Sequence, residues 1–471
     1  MPPLETLTIE EVHTLLLEKK IQVSELVSAF LSNIKARNKE LNIFLEVFDD
    51  IDAQVAKAQT RINEGTATLL TGIPVSLKDN MLVSGKAVTA GSKILEGYKA
   101  TYDATVTRLL KDAGAVIIGR TNMDEFAMGS STENGAFGPT KNPLDPTRVP
   151  GGSSGGAAAS VAAFMVPLAF GSDTGGSIRQ PAAFCGLVGF KPTFDTISRY
   201  GLIAMASSLD QIGPFAKTVR DVEIAWEFLS QFDPLDSTSV PEEKRITPEK
   251  NRKRIGVPKA FISGDGIEPE VKEAFDKTLA QLESKGYEII NVEIPFIEYS
   301  LPVYYILMPA ESSTNLSRFD GIRYGLSKDT GTLFDVYAQS RGEGFGREVR
   351  RRIVLGTYVL SHGYYDAYYK RAVDVRSKIT QSFKNVFETV EAIVTPTTPT
   401  VAFKFGEKTQ DPVSMYLSDI FTVPANIAGL PSLSVPVGKG KNNMPVGFQI
   451  TGPHFSDKRL FAIGKDVEET V

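Results

Sequence analysis

Short apolar runs alternating with amphipathic stretches, most pairs punctuated by glycine, constrain this chain more than any other feature. Residues 102–119, YDATVTRLLKDAGAVIIG, read as a helix capped by Asp103, a glycine stop at Gly114 and a buried strand. The same order returns after residue 254. There, strand-like RIGVP precedes a helix presenting Val271, Phe275, Leu279 and Leu282 on one face, a stop at Gly286 and the strand YEIINVEI. Earlier, TGIPVSLKD reads as a buried strand ending at Lys78. This succession predicts the α/β class, in one large domain over residues 1–471.

Within that domain the spacing divides the chain. Thr8-Ile9-Glu10-Glu11 has the pattern of a capping box and opens a helical segment at about 8–36, with Val12, Leu15 and Leu16, then Leu26, Phe30 and Ile34, as its apolar positions. A core at about 70–232 follows. The polar, charge-dense stretch 233–254, DPLDSTSVPEEKRITPEKNRKR, reads as a long surface connection to a second half at about 255–471. No repeat of 20–50 residues is visible, which removes solenoids and propellers.

Two serine-bearing glycine clusters carry the chemistry. They lie in VPGGSSGGAAASVAA (149–163) and PLAFGSDTGGSIRQPAAFCGLVGFKPT (167–193), with Ser153 and Ser177 twenty-four residues apart. Glycine lets backbone amides approach a ligand closely, and several N–H groups of Asp173-Thr174-Gly175-Gly176-Ser177 can converge on one point. An oxyanion hole needs that geometry, with the nucleophile on the same turn. The apolar strand and helix patterns flanking both clusters argue against a flexible linker. A phosphate-binding loop would need Lys-Ser/Thr after the last glycine.

A serine nucleophile needs a base. The three histidines, His13, His362 and His454, lie near neither cluster in sequence, though folding can bring distant residues together. Lysine is the alternative, since burial among apolar groups lowers its pKa. Lys78 ends an apolar strand and is the candidate, an ordinary surface lysine being the plainer reading. Cys185 is the only cysteine, so no disulfide framework or thiolate cluster forms. It sits in the apolar run AAFCGLVGF, which suits a small buried residue better than a nucleophile. Lys191 in GFKPT reads as structural support.

The paired motifs resemble those of the amidase signature family. That resemblance implies a mixed central β-sheet covered by helices on both faces (α/β/α). It also implies a triad of Lys78 as base, Ser153 as relay and Ser177 as nucleophile, with Ser154 in support and the oxyanion hole formed by the backbone amides of Thr174, Gly175, Gly176 and Ser177. A cis peptide between Gly152 and Ser153 follows from the same resemblance.

Segments such as TNMDEFAMGSSTENGAFGPTKNP, EGFGREVRRRI, HGYYDAYYKRA and IVTPTTPT extend the likeness over essentially the whole chain. They resemble the glutaminase (A) components of bacterial and organellar glutamyl-tRNA(Gln) amidotransferases. Such a component hydrolyses glutamine, and its ammonia passes to a B component that amidates activated Glu-tRNA(Gln) or Asp-tRNA(Asn), with a small C component bracing this heterotrimer. The resemblance implies that Arg352 holds the glutamine α-carboxylate, Asp419 its α-ammonium, and Tyr304, or its neighbour Tyr305, adds a hydroxyl. It also implies that a short C-terminal helix is missing or shortened, without harm to the site. For Arg352 the competing reading is a solvated helix face, given the run Arg350-Arg351-Arg352. Asp419 shares a helical face with Met415, Thr422 and Val423, so a buried carboxylate in need of a partner is expected.

Composition bears on the partners. A net charge of −5 gives no global attraction to nucleic acid, so tRNA is expected to be held mainly by a partner. No cofactor is expected in this chain, and ATP and Mg are assigned to the partner B component. No metal constellation is visible. No apolar run is long enough to span a bilayer and the acidic N-terminus is unlike a secretory signal, so the expected location is the cytoplasm. The competing functions are a free-standing amidase and a non-catalytic scaffold within such a complex.

Overall fold

The apolar run ending at Lys78 becomes a strand buried at every residue, as a sheet covered on both faces requires. The computed structural model describes residues 2–247, 253–264, 266–328, 331–409 and 411–470, and in them eleven strands form one sheet. They are β1 (Phe44–Val47), β2 (Pro74–Lys78), β3 (Val116–Thr121), β4 (Leu168–Asp173), β5 (Val188–Lys191), β6 (Gln211–Ala216), β7 (Arg254–Val257), β8 (Glu288–Asn291), β9 (Ala392–Pro396), β10 (Ser432–Lys439) and β11 (Pro445–Thr451). Their spatial order is β1-β3-β2-β4-β6-β5-β10-β11-β9-β7-β8. β2 runs parallel to β3 and β4, and β7 to β8 and β9; the other neighbours are antiparallel. The sheet is therefore mixed, and it unites strands from both sides of the 233–254 connection. No helix among the described residues is long and apolar enough to cross a membrane.

The small-residue helix Gly155–Ala162 packs on β4 and β2 with all eight residues buried. Its closeness explains its composition: a Cβ at Gly156 would fall 2.3 Å from the carbonyl oxygen of Asn122. This close packing carries Ser153 and Ser154, just before the helix, toward the end of β2.

Most local signals hold. Thr8 and Glu11 form the expected capping box, and Gly114 takes φ +81° just past its helix. Three expectations need correction. Asp103 is not a cap: the helix Thr105–Asp112 starts from Ala104, and Asp103 instead accepts from the Ser84 amide and Lys111 Nζ, each at 2.8 Å. The connection is not wholly a surface segment at its start. Asp233 is buried and accepts hydroxyl bonds from Thr105 and Ser198, both at 2.5 Å, while residues 248–252 lie outside those described. The helix expected through Asp419 breaks into Pro412–Tyr416, a 3₁₀ turn Leu417–Asp419 and Val423–Ile427. Pro424 explains the break, since its ring excludes a helical carbonyl four residues earlier and it has no N–H to donate.

Candidate active site

Lys78 is completely buried at the end of β2. Its Nζ lies 2.7 Å from Ser153 Oγ, 2.8 Å from Ser154 Oγ and 2.9 Å from Ser172 Oγ. Ser154 donates onward to the carbonyl of Ser172, and Asn80 Nδ2 donates to Ser172 Oγ, so the cluster is locked to β4. The Gly152–Ser153 peptide is cis, as the resemblance implied. Burial brings the Lys78 ammonium down to about 7, against the nearby carboxylates of Asp124, Asp173 and Asp210, which favour its charged form. A lysine in this state exchanges protons near neutrality.

Ser177 stands on the turn between β4 and the helix Arg179–Cys185. Its side chain makes no hydrogen bond among the described residues, including none to Ser153. It is 7% exposed whereas Lys78 and Ser153 are fully buried, so of the three it is the one that solvent touches. The turn is fixed from below by the Asp173 carboxylate. This group accepts from the amides of Gly176 (2.9 Å) and Ile178 (3.1 Å), from Arg179 Nε (3.0 Å) and Nη2 (2.9 Å), and from Asn426 Nδ2 (2.8 Å). Burial works to raise Asp173, but the Arg179 guanidinium prevails and holds it at about 2. Arg179 also reaches the Thr422 carbonyl at 2.8 Å. Of the four amides expected to face an oxyanion, that of Gly176 is thus already engaged, while those of Gly175 and Ser177 donate to no group among the described residues. Gly176 has φ +140°, and a Cβ there would fall 2.2 Å from Thr422 Oγ1, so only glycine fits.

Of the residues expected to bind substrate, Tyr304 packs directly on this turn. Tyr304, in the helix Ser300–Asn315, is buried against Gly175, where a Cβ would come 2.8 Å from its Cζ. Tyr305 packs edge-on to Tyr304, stacks on Tyr416 with ring centroids 3.9 Å apart and lies beside the Arg352 guanidinium. Arg352 is buried, which overturns the solvated-face reading. In the helix Arg347–Val359 successive residues rotate by about 100°, so Arg350 is exposed while Arg352 turns inward. Its Nε donates to Glu348 Oε1 at 2.8 Å. Asp419 is buried too, accepting from Ser130 Oγ at 2.6 Å. Burial raises its carboxyl to about 7, opposed by the Ser130 hydrogen bond and the Arg352 charge.

The remaining candidates lie apart. His13 is part-buried, His362 is exposed, and His454 Nε2 pairs with the Ala428 carbonyl at 2.9 Å. Cys185 is buried with Sγ 3.4 Å from the Pro150 carbonyl, and burial pushes its thiol up. Lys191, brought to about 7 chiefly by burial, donates to the Pro192 carbonyl at 2.9 Å rather than to a serine. Sequence reasoning missed Ser172, Ser130 and Glu348. Asp173 and Arg179 were in view within DTGGSIR, where an acid and an arginine flank the glycines.

A mixed eleven-stranded sheet in an α/β fold, with a buried lysine bonded to three serine hydroxyls beside a glycine turn that carries a fourth serine, is the arrangement of the amidase class. The chain belongs to the amidase family, whose model matches residues 25–461. It is 50% identical over 471 residues to the A component of glutamyl-tRNA(Gln) amidotransferase from Caldanaerobacter subterraneus subsp. tengcongensis, covering 98% of this chain and 96% of that one. The crystal structure of the corresponding glutamyl-tRNA(Gln) amidotransferase component from Thermotoga maritima superposes with a TM-score of 0.81 at 43% identity, covering 100% of this chain and 96% of that one. The peptide amidase of Stenotrophomonas maltophilia gives 0.81 at 26% identity, covering 99% and 97%.

Proposed function

We propose that the chain is the glutamine-hydrolysing component of a tRNA-dependent amidotransferase. Since the fold also houses a peptide amidase, the pocket must choose the substrate. The observation that carries the reading is the buried pair Arg352 and Asp419, near enough for one charge to act on the other, with the Asp419 segment tied to the Ser177 turn through Thr422; they are one cation and one anion suited to the α-carboxylate and α-ammonium of glutamine. The near-full-length identity to relatives named as amidotransferase A components supports it.

In this mechanism Ser177 Oγ attacks the side-chain carboxamide carbon of glutamine. Its proton moves to Ser153 Oγ as the Ser153 proton moves to neutral Lys78 Nζ. The amides of Gly175 and Ser177 stabilise the oxyanion, with that of Thr174 in the same arc, and Gly176 sharing its proton with Asp173. Collapse breaks the C–N bond, and the proton held by Lys78 returns through Ser153 to the departing ammonia. Water then cleaves the γ-glutamyl ester on Ser177, giving glutamate by the same relay. Ammonia passes to a B component that binds ATP and Mg and amidates Glu-tRNA(Gln) or Asp-tRNA(Asn), with a C component completing a cytoplasmic heterotrimer.

Ammonia release from glutamine by the purified chain, alone and with its B and C partners, tests this reading. Hydrolysis of simple amides without preference for glutamine would make it a free-standing amidase. No hydrolysis of any amide under either condition would leave a scaffold.

A further inference from the structure

A pocket that holds a cation and an anion for a zwitterion tends to neutralise itself when unoccupied. Here Arg352 and Asp419 are buried near enough for the arginine charge to influence the aspartate carboxyl. Each is held by a partner of its own. Ser130 holds Asp419, and on the other side Glu348 Oε1, one helical turn earlier, accepts a 2.8 Å hydrogen bond from Arg352 Nε. Tyr416 donates to the same Oε1 at 3.2 Å, and Arg351 occupies Oε2. The guanidinium carbon stands 5.5 Å from the Tyr305 ring centre and 5.6 Å from that of Tyr416, beside their stacked pair. Nη1 meets only Met308 Sδ, at 3.5 Å, and Nη2 donates to no group among the described residues. With Nε taken, the Nη1/Nη2 edge is the one left for a planar two-point contact.

We propose that Glu348 is a positioning residue for substrate selection: by occupying Nε it presents the Nη1/Nη2 edge of Arg352 to the carboxylate of the substrate and keeps the guanidinium from closing on Asp419. This rests on the reading of Arg352 as the carboxylate ligand. What matters is the acceptor oxygen at that reach. Burial acts against the Glu348 carboxylate, and Arg352 beside it holds its pKa below the usual value.

The test compares kcat/KM for glutaramate, which keeps the glutamine carboxylate without its ammonium, with that for glutaramide, where a second amide replaces the carboxylate. The full chain should prefer glutaramate by about tenfold or more, as one charge-assisted pair allows. Glu348→Gln, which keeps an acceptor oxygen at the same reach without charge, should hold the ratio within about threefold. Glu348→Asp, which withdraws a charged acceptor by one methylene, and Glu348→Ala should cut it by about tenfold. If the alanine variant does not fold, as thermal unfolding would reveal, the Gln and Asp pair decides. The reverse order, with Asp keeping the ratio and Gln losing it, overturns positioning in favour of bare charge. An unchanged ratio in Asp and Ala, or no wild-type preference for glutaramate, overturns it outright. A wild type that ignores glutamine but keeps the glutaramate preference with the expected variant order sinks the glutaminase reading and leaves this one standing.

Discussion

Thr422 Oγ1 donates a 2.6 Å hydrogen bond to the carbonyl of Gly175, so the segment carrying Asp419 is tied to the turn carrying Ser177. Substrate recognition and bond cleavage thereby share one rigid element, reinforced by Arg179, which grips the Thr422 carbonyl and Asp173 together. Thr422→Val removes the hydroxyl at nearly constant volume. A neutral hydrogen bond contributes about 0.5–1.5 kcal/mol, so kcat/KM on glutamine should fall about two- to tenfold with the melting temperature only slightly lowered. Wild-type kinetics in this variant would mean that the tie only braces the fold.

Ser177→Ala should lower glutamine hydrolysis by about a thousandfold or more while leaving the fold intact, because the attacking atom is gone. Lys78→Met, which fills the same buried space without a base, should be nearly as damaging. Cys185→Ala should retain activity, since Cys185 is a core residue whose one side-chain hydrogen bond among the described residues goes to the Pro150 carbonyl. Single-turnover ammonia release with circular dichroism checks all three. A dead Cys185 variant beside an active Ser177 variant would reverse the assignment.

The pH dependence separates two groups that both titrate near 7. Lys78 is a base only when neutral, above about 7, and Asp419 binds an ammonium only when ionised, also above about 7. Both signs run the same way: activity is lost as pH falls. The kcat/KM profile of the free enzyme on glutamine should therefore approach a slope of about two below neutrality, and that on glutaramide, which has no ammonium, about one. Asp419→Asn should bring the glutamine slope down to about one. Identical slopes for both substrates in the wild type would remove Asp419 from ammonium binding.

How much of this was legible in the sequence follows from what each signal encodes. The strand ending at Lys78 and the glycine clusters were visible because burial and close backbone approach restrict residue type at consecutive positions. The inward turn of Arg352 was invisible among three arginines, since identical residues carry no phase of the helix. Ser130 and Glu348 lie 289 and 4 residues from the partners they hold, and neither spacing marks a serine or glutamate as anything but surface. The helix through Asp419 breaks for a local reason that the sequence contains, Pro424, which the apolar spacing around the aspartate does not reveal.

The pocket makes the sharpest demand. If Arg352 and Asp419 read the two charges of glutamine, their loss weakens binding more than bond cleavage. Each charge-assisted contact contributes about 1.5–3 kcal/mol, and removing one side chain also leaves a ligand charge unpaired in a buried site. Arg352→Ala and Asp419→Ala should each cost about tenfold or more in kcat/KM on glutamine, mainly through KM where the contacts are equal in ground and transition states. The two need not behave alike. Arg352→Ala leaves Glu348 with only Tyr416 and the more exposed Arg351, breaking a buried ion pair, so its folding stability should fall further than that of Asp419→Ala, whose one side-chain hydrogen bond is to the Ser130 hydroxyl. Glutaramate isolates the difference, because it keeps the carboxylate and lacks the ammonium. Arg352→Ala should lose on both glutamine and glutaramate, Asp419→Ala on glutamine far more than on glutaramate. Equal losses by both variants on glutamine, glutaramate and glutaramide would reduce the pair to supports of the fold, and the pocket would no longer select glutamine.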